Sequence, residues 1–327
     1  MGLAELLLGT PERRFIMYGG KGGLGKTTFS AATAYYLAAK GKRVLVFSVD
    51  PQASLSDIFE RDIFGQGNVE IIPNLFACEV DADRRIADYQ DAIRKRIVDM
   101  YGMKKIPDEI ESYIAASSAE PAMEESAIFD AVVDIVVEGG FDYYIYDLVP
   151  LGHALYYLSM GSIYDAWLGK ITGLREQMRE YDKVIATMQR EEDLAEDEIY
   201  DELLYIKNRI GTASKIMTDP HQTSFYFVLT PEDMIIEDTK KAAELFGKFG
   251  VPLSGYIVNR VIPVEELSGE LPLYLKNRVE MQHTCLETIN KTFGKDVLGN
   301  VPEFDNEIKG MDMIKRMAET MFGEKLA

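Results

Sequence analysis

Gly19-Gly20-Lys21-Gly22-Gly23-Leu24-Gly25-Lys26-Thr27-Thr28 is the stretch that decides the fold. An apolar, β-rich run, Arg14 to Tyr18, precedes it, and Phe29 to Ala39 follows with the alanines and apolar side chains of a buried helix. Glycines let the backbone turn tightly, so that successive amides and a helix N-terminus point at one anion. In that setting Lys26 sits on the β- and γ-phosphates of a nucleotide and Thr27 offers its hydroxyl to Mg²⁺. The expected phosphate-binding set is therefore Gly20, Lys21, Gly22, Gly23, Leu24, Gly25, Lys26, Thr27 and Thr28.

Working outward, further β-rich runs recur between helical stretches: Val44 to Val49, Leu75 to Val80, Tyr143 to Asp147, Phe225 to Leu229, Tyr256 to Val258, and a weaker one around Val297. Apolar strands separated by helices predict an α/β fold, a mostly parallel, doubly wound sheet covered on both faces. Two regions, about 84–138 and 155–217, read as helix with no intervening strand, and predict a helical subdomain inserted into one nucleotide-binding domain spanning 1–327. In the second, Met160, Ile163, Tyr164, Trp167, Leu168, Ile171, Leu174, Met178, Tyr181, Ile185 and Met188 follow helical spacing. Such a stripe is either plain core or a surface for apolar helices, to which flexible thioethers are suited. The acidic run 191–198 reads as a solvated connection between two helices.

Two carboxylates end strands at the edge of the sheet where ligands of open α/β sheets bind. Asp50, in Asp50-Pro51-Gln52, is placed to orient an attacking water. Asp147, in Asp147-Leu148-Val149-Pro150-Leu151-Gly152-His153, is the natural holder of Mg²⁺, through water, with Gly152 giving the following loop freedom to respond to the γ-phosphate. The two acid-bearing strands are expected to flank the phosphate loop.

Composition bounds the rest. A chain of 327 residues, 47% hydrophobic and 27% charged, builds one large core. With 35 basic against 54 acidic side chains, a formal net charge of −19 excludes nucleic acid as an expected partner. Two cysteines, Cys78 and Cys285, form no disulfide framework and no CxxC pair, which fits a reducing cytoplasm. The N-terminal apolar run carries an acid in place of a basic n-region, so no signal peptide is expected, and no run is long enough for a membrane span.

With these motifs in order, the chain resembles, over nearly its whole length, the P-loop NTPase family of arsenite pump-driving ATPases and the guided-entry ATPases that target tail-anchored membrane proteins. The resemblance extends through Arg209-Ile210, Met217-Thr218-Asp219-Pro220, Thr223-Ser224-Phe225, Thr230-Pro231-Glu232, Val258-Asn259-Arg260 and Val301-Pro302-Glu303. The extra lysine, Lys21, marks the deviant Walker A group, whose members dimerise around nucleotide with this lysine reaching the partner's phosphates. The resemblance implies ATP hydrolysis by a homodimer, with Lys21 and Asp50 as catalytic residues. It also implies nucleotide contacts at Glu232, at Asn259 beside adenine, and around Pro302, which closes over the base.

Departures matter too. Members of this family read Asp-Thr-Ala-Pro-Thr-Gly-His at the second switch, where this chain has Leu148, Val149 and Leu151 while keeping Asp147, Pro150, Gly152 and His153. His153 either hydrogen-bonds within the moving loop or serves the structure alone. The CxxC that binds zinc between subunits is reduced to Cys285, which speaks against a zinc-linked dimer, and the lack of cysteines between Cys78 and Cys285 speaks against arsenite held by thiolates. The expected function is an ATP-hydrolysing homodimer, in the cytoplasm, that holds the transmembrane helix of a client in a groove formed by Met160, Ile163, Tyr164, Trp167, Met178 and Met188. The alternative is an ATPase subunit energising an arsenite or antimonite transporter, and a membrane receptor or transporter is the further partner. An iron–sulfur reductase is disfavoured by the missing cysteine pair, and a partitioning ATPase by the absence of a basic amphipathic helix within Met311 to Phe322.

Overall fold

The computed structural model describes residues 12–50, 52–102, 105–117, 121–148, 166, 168–178, 180–181, 198–248, 250–251, 253–266 and 271–326. Its frame is an eight-stranded sheet of β1 (Phe15–Gly19), β2 (Val44–Ser48), β3 (Val69–Ile72), β4 (Leu75–Glu79), β5 (Tyr143–Asp147), β6 (Thr223–Leu229), β7 (Leu253–Val261) and β8 (Val297–Pro302). The spatial order is β3-β4-β2-β5-β1-β6-β7-β8, parallel throughout except for the edge pair β3/β4. Strands β1, β2, β5 and β6 are buried at every position, so they read as continuous apolar or aromatic runs rather than alternating ones, as strands covered on both faces must.

Strand β3 has no counterpart among the sequence runs. Val69–Ile72 has four residues, lies at the edge and exposes Glu70, so its apolar signal is weak. The Pro73-Asn74 pair, with Asn74 at φ 70°, supplies the tight turn into β4, and proline with a left-handed residue after it is a turn signature.

Among the described residues, the α-helices with defined ends are α1 (Lys26–Ala39), α2 (Ser54–Phe59), α3 (Ala82–Tyr101), α4 (Asp108–Ser117), α5 (Pro121–Glu138), α6 (Glu198–Thr218), α7 (Asp233–Lys248), α8 (Leu273–Phe293) and α9 (Gly310–Phe322). Helix α1 buries Phe29, Ser30, Ala31, Ala32, Thr33, Ala34, Tyr36, Leu37 and Ala38, and its small residues let it lie close on the sheet. Helix α9 covers it: the rings of Tyr36 and Phe322 stack at 3.8 Å, and Lys40 pairs with Glu324 at 2.8 Å. Helices α3, α4 and α5 follow one another between β4 and β5 without a strand. Asp134 of α5 ties this layer together, accepting from Arg85 of α3 at 2.8 Å and pairing with Arg209 of α6.

Residues 168–178 and 180–181 are helical. Along this stretch the apolar stripe leaves the core: Leu168 is 3% exposed, whereas Leu174, Met178 and Tyr181 are 62%, 53% and 71% exposed. Met160, Ile163, Tyr164, Trp167 and Met188 of the same stripe lie outside the described residues. Among those described, no helix is long and apolar enough to cross a membrane.

Candidate active site

Strand order creates the site. Strand β1 connects through α1 past β5 to β2, while β6 connects through α7 to β7 on the other side. Where neighbouring strands send their connections in opposite directions a crevice opens at their carboxyl ends. The phosphate loop lies there.

Two of its glycines pack the back of the loop. A Cβ on Gly20 would stand 2.6 Å from the Val228 carbonyl oxygen of β6, and one on Gly25, at φ 99°, would stand 2.7 Å from Asn259 Nδ2. Two others keep the front clear, since a Cβ on Gly22 or Gly23 meets nothing within 4 Å. Leu24 is buried, and its carbonyl accepts a 2.8 Å hydrogen bond from Asn259 Nδ2, across 235 positions of sequence. Asn259 thus holds the loop through this hydrogen bond.

Lys26 opens α1 and is 9% exposed, its Nζ donating to the Lys21 carbonyl at 3.3 Å. Burial lowers its pKa, while the Asp147 and Asp50 carboxylates pull it back up. Asp147 ends β5, 3% exposed, and accepts from Thr27 Oγ1 at 2.6 Å and Ser30 Oγ at 3.3 Å. Burial pushes its carboxyl up to about 6, against the pull of the Thr27 hydroxyl, the Lys26 ammonium and the Ser30 hydroxyl. The Asp50 carboxylate accepts from the Gln52 amide at 3.0 Å, and the Asp50 amide donates to Ser48 Oγ at 3.2 Å.

The donor set suits Mg²⁺. A hydroxyl and a carboxylate 2.6 Å apart at the mouth of a phosphate loop are hard oxygen donors, and Mg²⁺ takes one or two such groups together with substrate phosphates and waters. Among the described residues no cluster of three or more His, Cys, Asp or Glu side chains is arranged to hold a metal.

The two acid-bearing strands do not flank the loop, as their motifs suggest, but lie together on one side of it. Asp147 follows β5, next to β1, and Asp50 follows β2, one strand further on the same side. The opposite side carries Glu232 after β6 and Asn259 on β7, with Pro302 ending β8 at the sheet edge. The cause is the α1 crossover, which steps over β5 so that both acids share one wall. Glu232 is exposed and accepts from Thr230 Oγ1 at 3.2 Å. Lys21 turns toward α7 and pairs with Asp238 of its own chain at 3.0 Å, both side chains nearly half exposed. Thr28 is half-buried in the first turn of α1.

Leu148 is 2% exposed, so the apolar residue in the second switch packs into the core; Val149, Pro150, Leu151, Gly152 and His153 lie outside the described residues. Cys78 and Cys285 are buried free thiols whose pKa values burial pushes up to about 11. Cys285 Sγ lies 3.5 Å from the Asp233 carboxylate.

One residue that sequence reasoning passed over belongs to this wall. Glu79 ends β4, 1% exposed, and its carboxylate accepts from the Leu55 and Ser56 amides at 2.6 and 3.1 Å and from the Ser56 hydroxyl. The signal was a lone acid closing an apolar strand, Leu75 to Val80, at the same sheet edge as Asp50 and Asp147.

Comparison with known proteins gives the family. The profile of the family described as anion-transporting ATPase matches residues 13–323. The putative arsenical pump-driving ATPase 2 of Aquifex aeolicus is 31% identical over 94% of this chain and 98% of its own length. ATPase ASNA1 homolog 2 of Paramecium tetraurelia is 26% identical over 98% of this chain and 96% of its own, and ATPase GET3 of Rhodotorula glutinis 28% identical over 95% and 88%. With a glycine loop at the switch point of a parallel sheet and a family match across residues 13–323, the chain is an ATPase belonging to the anion-transporting ATPase family.

Proposed function

We propose that this ATPase is a homodimeric targeting factor, acting in the cytoplasm, that shelters the transmembrane helix of tail-anchored client proteins. The observation that carries the reading is the apolar stripe emerging from the core: Leu174, Met178 and Tyr181 stand at helical spacing and are each more than half exposed. Apolar side chains at such spacing suit a partner helix laid in a groove. The helical subdomain, at about 84–138 and 155–217, is the part of the single 1–327 domain that would present it, Met160, Ile163, Tyr164, Trp167 and Met188 completing the groove. Leu273, Tyr274 and Met281, exposed along α8, offer apolar area to a second copy.

In the nucleotide site, the amides of Gly20 to Gly25 and the Lys26 ammonium bind the phosphates, assisted by Thr28. Thr27 and Asp147 would hold Mg²⁺, Asp147 through water, and the ion when bound neutralises charge on the phosphate oxygens. Asp50 orients water for in-line attack. Lys21 leaves Asp238 for the partner's phosphates, the place an arginine finger fills in other NTPases. Glu232, Asn259 and Pro302 serve the nucleoside end, Asn259 through the loop it pins. Because the 31% identical relative is named a pump-driving ATPase, a second reading has the same switch energise an arsenite or antimonite transporter; two buried, protonated thiols are poor metalloid ligands and weigh against it.

The test is co-expression with a tail-anchored transmembrane segment and purification with and without ATP, beside a segment carrying charged substitutions. Selective capture of the intact helix, lost on Met178→Glu with nucleotide binding intact, is the expected result. Active ATPase without capture, or ATPase stimulated by antimonite, rejects it.

A further inference from the structure

We propose that Glu79 is the positioning residue of the Asp50 loop, clamping its far end so that the Asp50 carboxylate lies where it can orient the attacking water. This rests on the assignment of Asp50 given above.

The segment from Asp50 to Ser56 is anchored at both ends. At its start, Ser48 is paired in the sheet, in register with Asp147 of β5 on one side and with Glu79 of β4 on the other, and Ser48 Oγ accepts from the Asp50 amide at 3.2 Å. At its end, α2 begins, and its first amides need partners. The residue at the usual capping position, Ala53, sits at φ 50° and has no side-chain oxygen, so it makes no cap. Glu79 supplies it from the neighbouring strand: one oxygen takes the Leu55 amide, the other takes the Ser56 amide and hydroxyl. The Ser56 hydroxyl in turn accepts from the Ile63 amide at 3.1 Å, and the Glu79 carbonyl accepts from the Gly65 amide at 3.0 Å. Both ends of the Asp50 segment are thereby referred to β2 and β4.

A buried carboxylate is costly unless it is hydrogen-bonded. Burial raises the Glu79 pKa even against three hydrogen bonds, so desolvation disfavours its charged form. An apolar residue would fill the same volume and leave the α2 amides unpaired. The carboxylate is explained by what it holds, and what it holds is the loop behind Asp50.

The experiment compares Glu79→Gln, Asp50→Asn and the double variant in the full chain, measuring kcat, KM, nucleotide affinity and melting temperature. Glutamine keeps the shape but turns a donor toward Ser56, so E79Q is expected to lose kcat by roughly ten- to a hundredfold, the scale of a displaced reacting group, with ATP affinity within about twofold. In the double variant E79Q is expected to add no further loss to D50N, because a group that acts through Asp50 has nothing left to position. Wild-type kcat in E79Q beside an inactive D50N, or losses that multiply in the double variant, overturns the proposal. Wild-type turnover in D50N removes instead the assignment on which it rests. If E79Q fails to fold, Ser56→Ala takes its place: a smaller fall in kcat at constant affinity, with faster amide exchange at Leu55 and Ser56, is expected, and unchanged kcat overturns the proposal.

Discussion

The two walls of the phosphate loop are built on different principles. On the β5/β2 side stand carboxylates and an ammonium out of water: Asp147 at 3% exposure against Thr27, Ser30 and Lys26, with Asp50 beyond. On the β6/β7 side the buried contacts to the loop are neutral and close, the Asn259 amide on the Leu24 carbonyl and the Val228 carbonyl against the back of Gly20, while the charged groups there, Glu232 and the Lys21–Asp238 pair, are exposed. Charge in a site of low dielectric responds strongly to an incoming phosphate or cation, whereas a neutral amide bond sets shape and responds little. One wall is therefore suited to chemistry and sensing, and the other to holding the loop in register.

The sharpest way to break this division is Asp50→Asn. If the charged wall does the chemistry, turnover falls by about 10² to 10⁴ while ATP binding stays within a few fold, measured by phosphate release and by equilibrium binding. Comparable turnover would end the division at once.

Asp147→Asn tests the energetic state of the same wall through stability in the nucleotide-free protein in chelator. Folding raises this carboxyl from its ordinary 3.8 to about 6, so between those values the folded state binds more protons than the unfolded one. The stability contributed by that proton is present at low pH and lost as pH rises through 6. Removing the charge should therefore stabilise the protein by roughly 2 to 3 kcal/mol at pH 7.5, and by only about 0.5 kcal/mol at pH 4. Denaturant unfolding at the two pH values checks it; equal effects at both would show that burial does not set this group.

The neutral wall predicts the opposite split. Asn259→Ala deletes one buried hydrogen bond to the loop, worth about 1 kcal/mol, and is expected to weaken ATP binding by about fivefold with kcat nearly unchanged. A fall in kcat alone would move Asn259 to the chemical side. The smallest effect belongs to Asp238→Asn, which removes an exposed ion pair with Lys21; such pairs contribute about 0 to 1 kcal/mol, and ATPase is expected to change by no more than about threefold.

Much of this molecule is legible along the chain because the relevant signals are local. A glycine loop between an apolar strand and an alanine-rich helix, and strands such as Tyr143–Asp147 and Val44–Ser48, announce themselves in a few consecutive residues through dihedral freedom and periodicity. Lys26 at the head of α1, the two strand-end acids and the sheet's parallel class follow from such stretches. Strand order does not, since it depends on which crossover buries which face. Both acids consequently fall on one side of β1, an outcome neither motif encodes. The short edge strand Val69–Ile72 lacked the apolar run that would have marked it. Asn259 meets Leu24, and Glu79 caps a helix begun by Ala53, across a sheet whose neighbours are distant in sequence. A buried polar group takes whatever partner packing brings within 3 Å, and only the tertiary structure decides which partner that is.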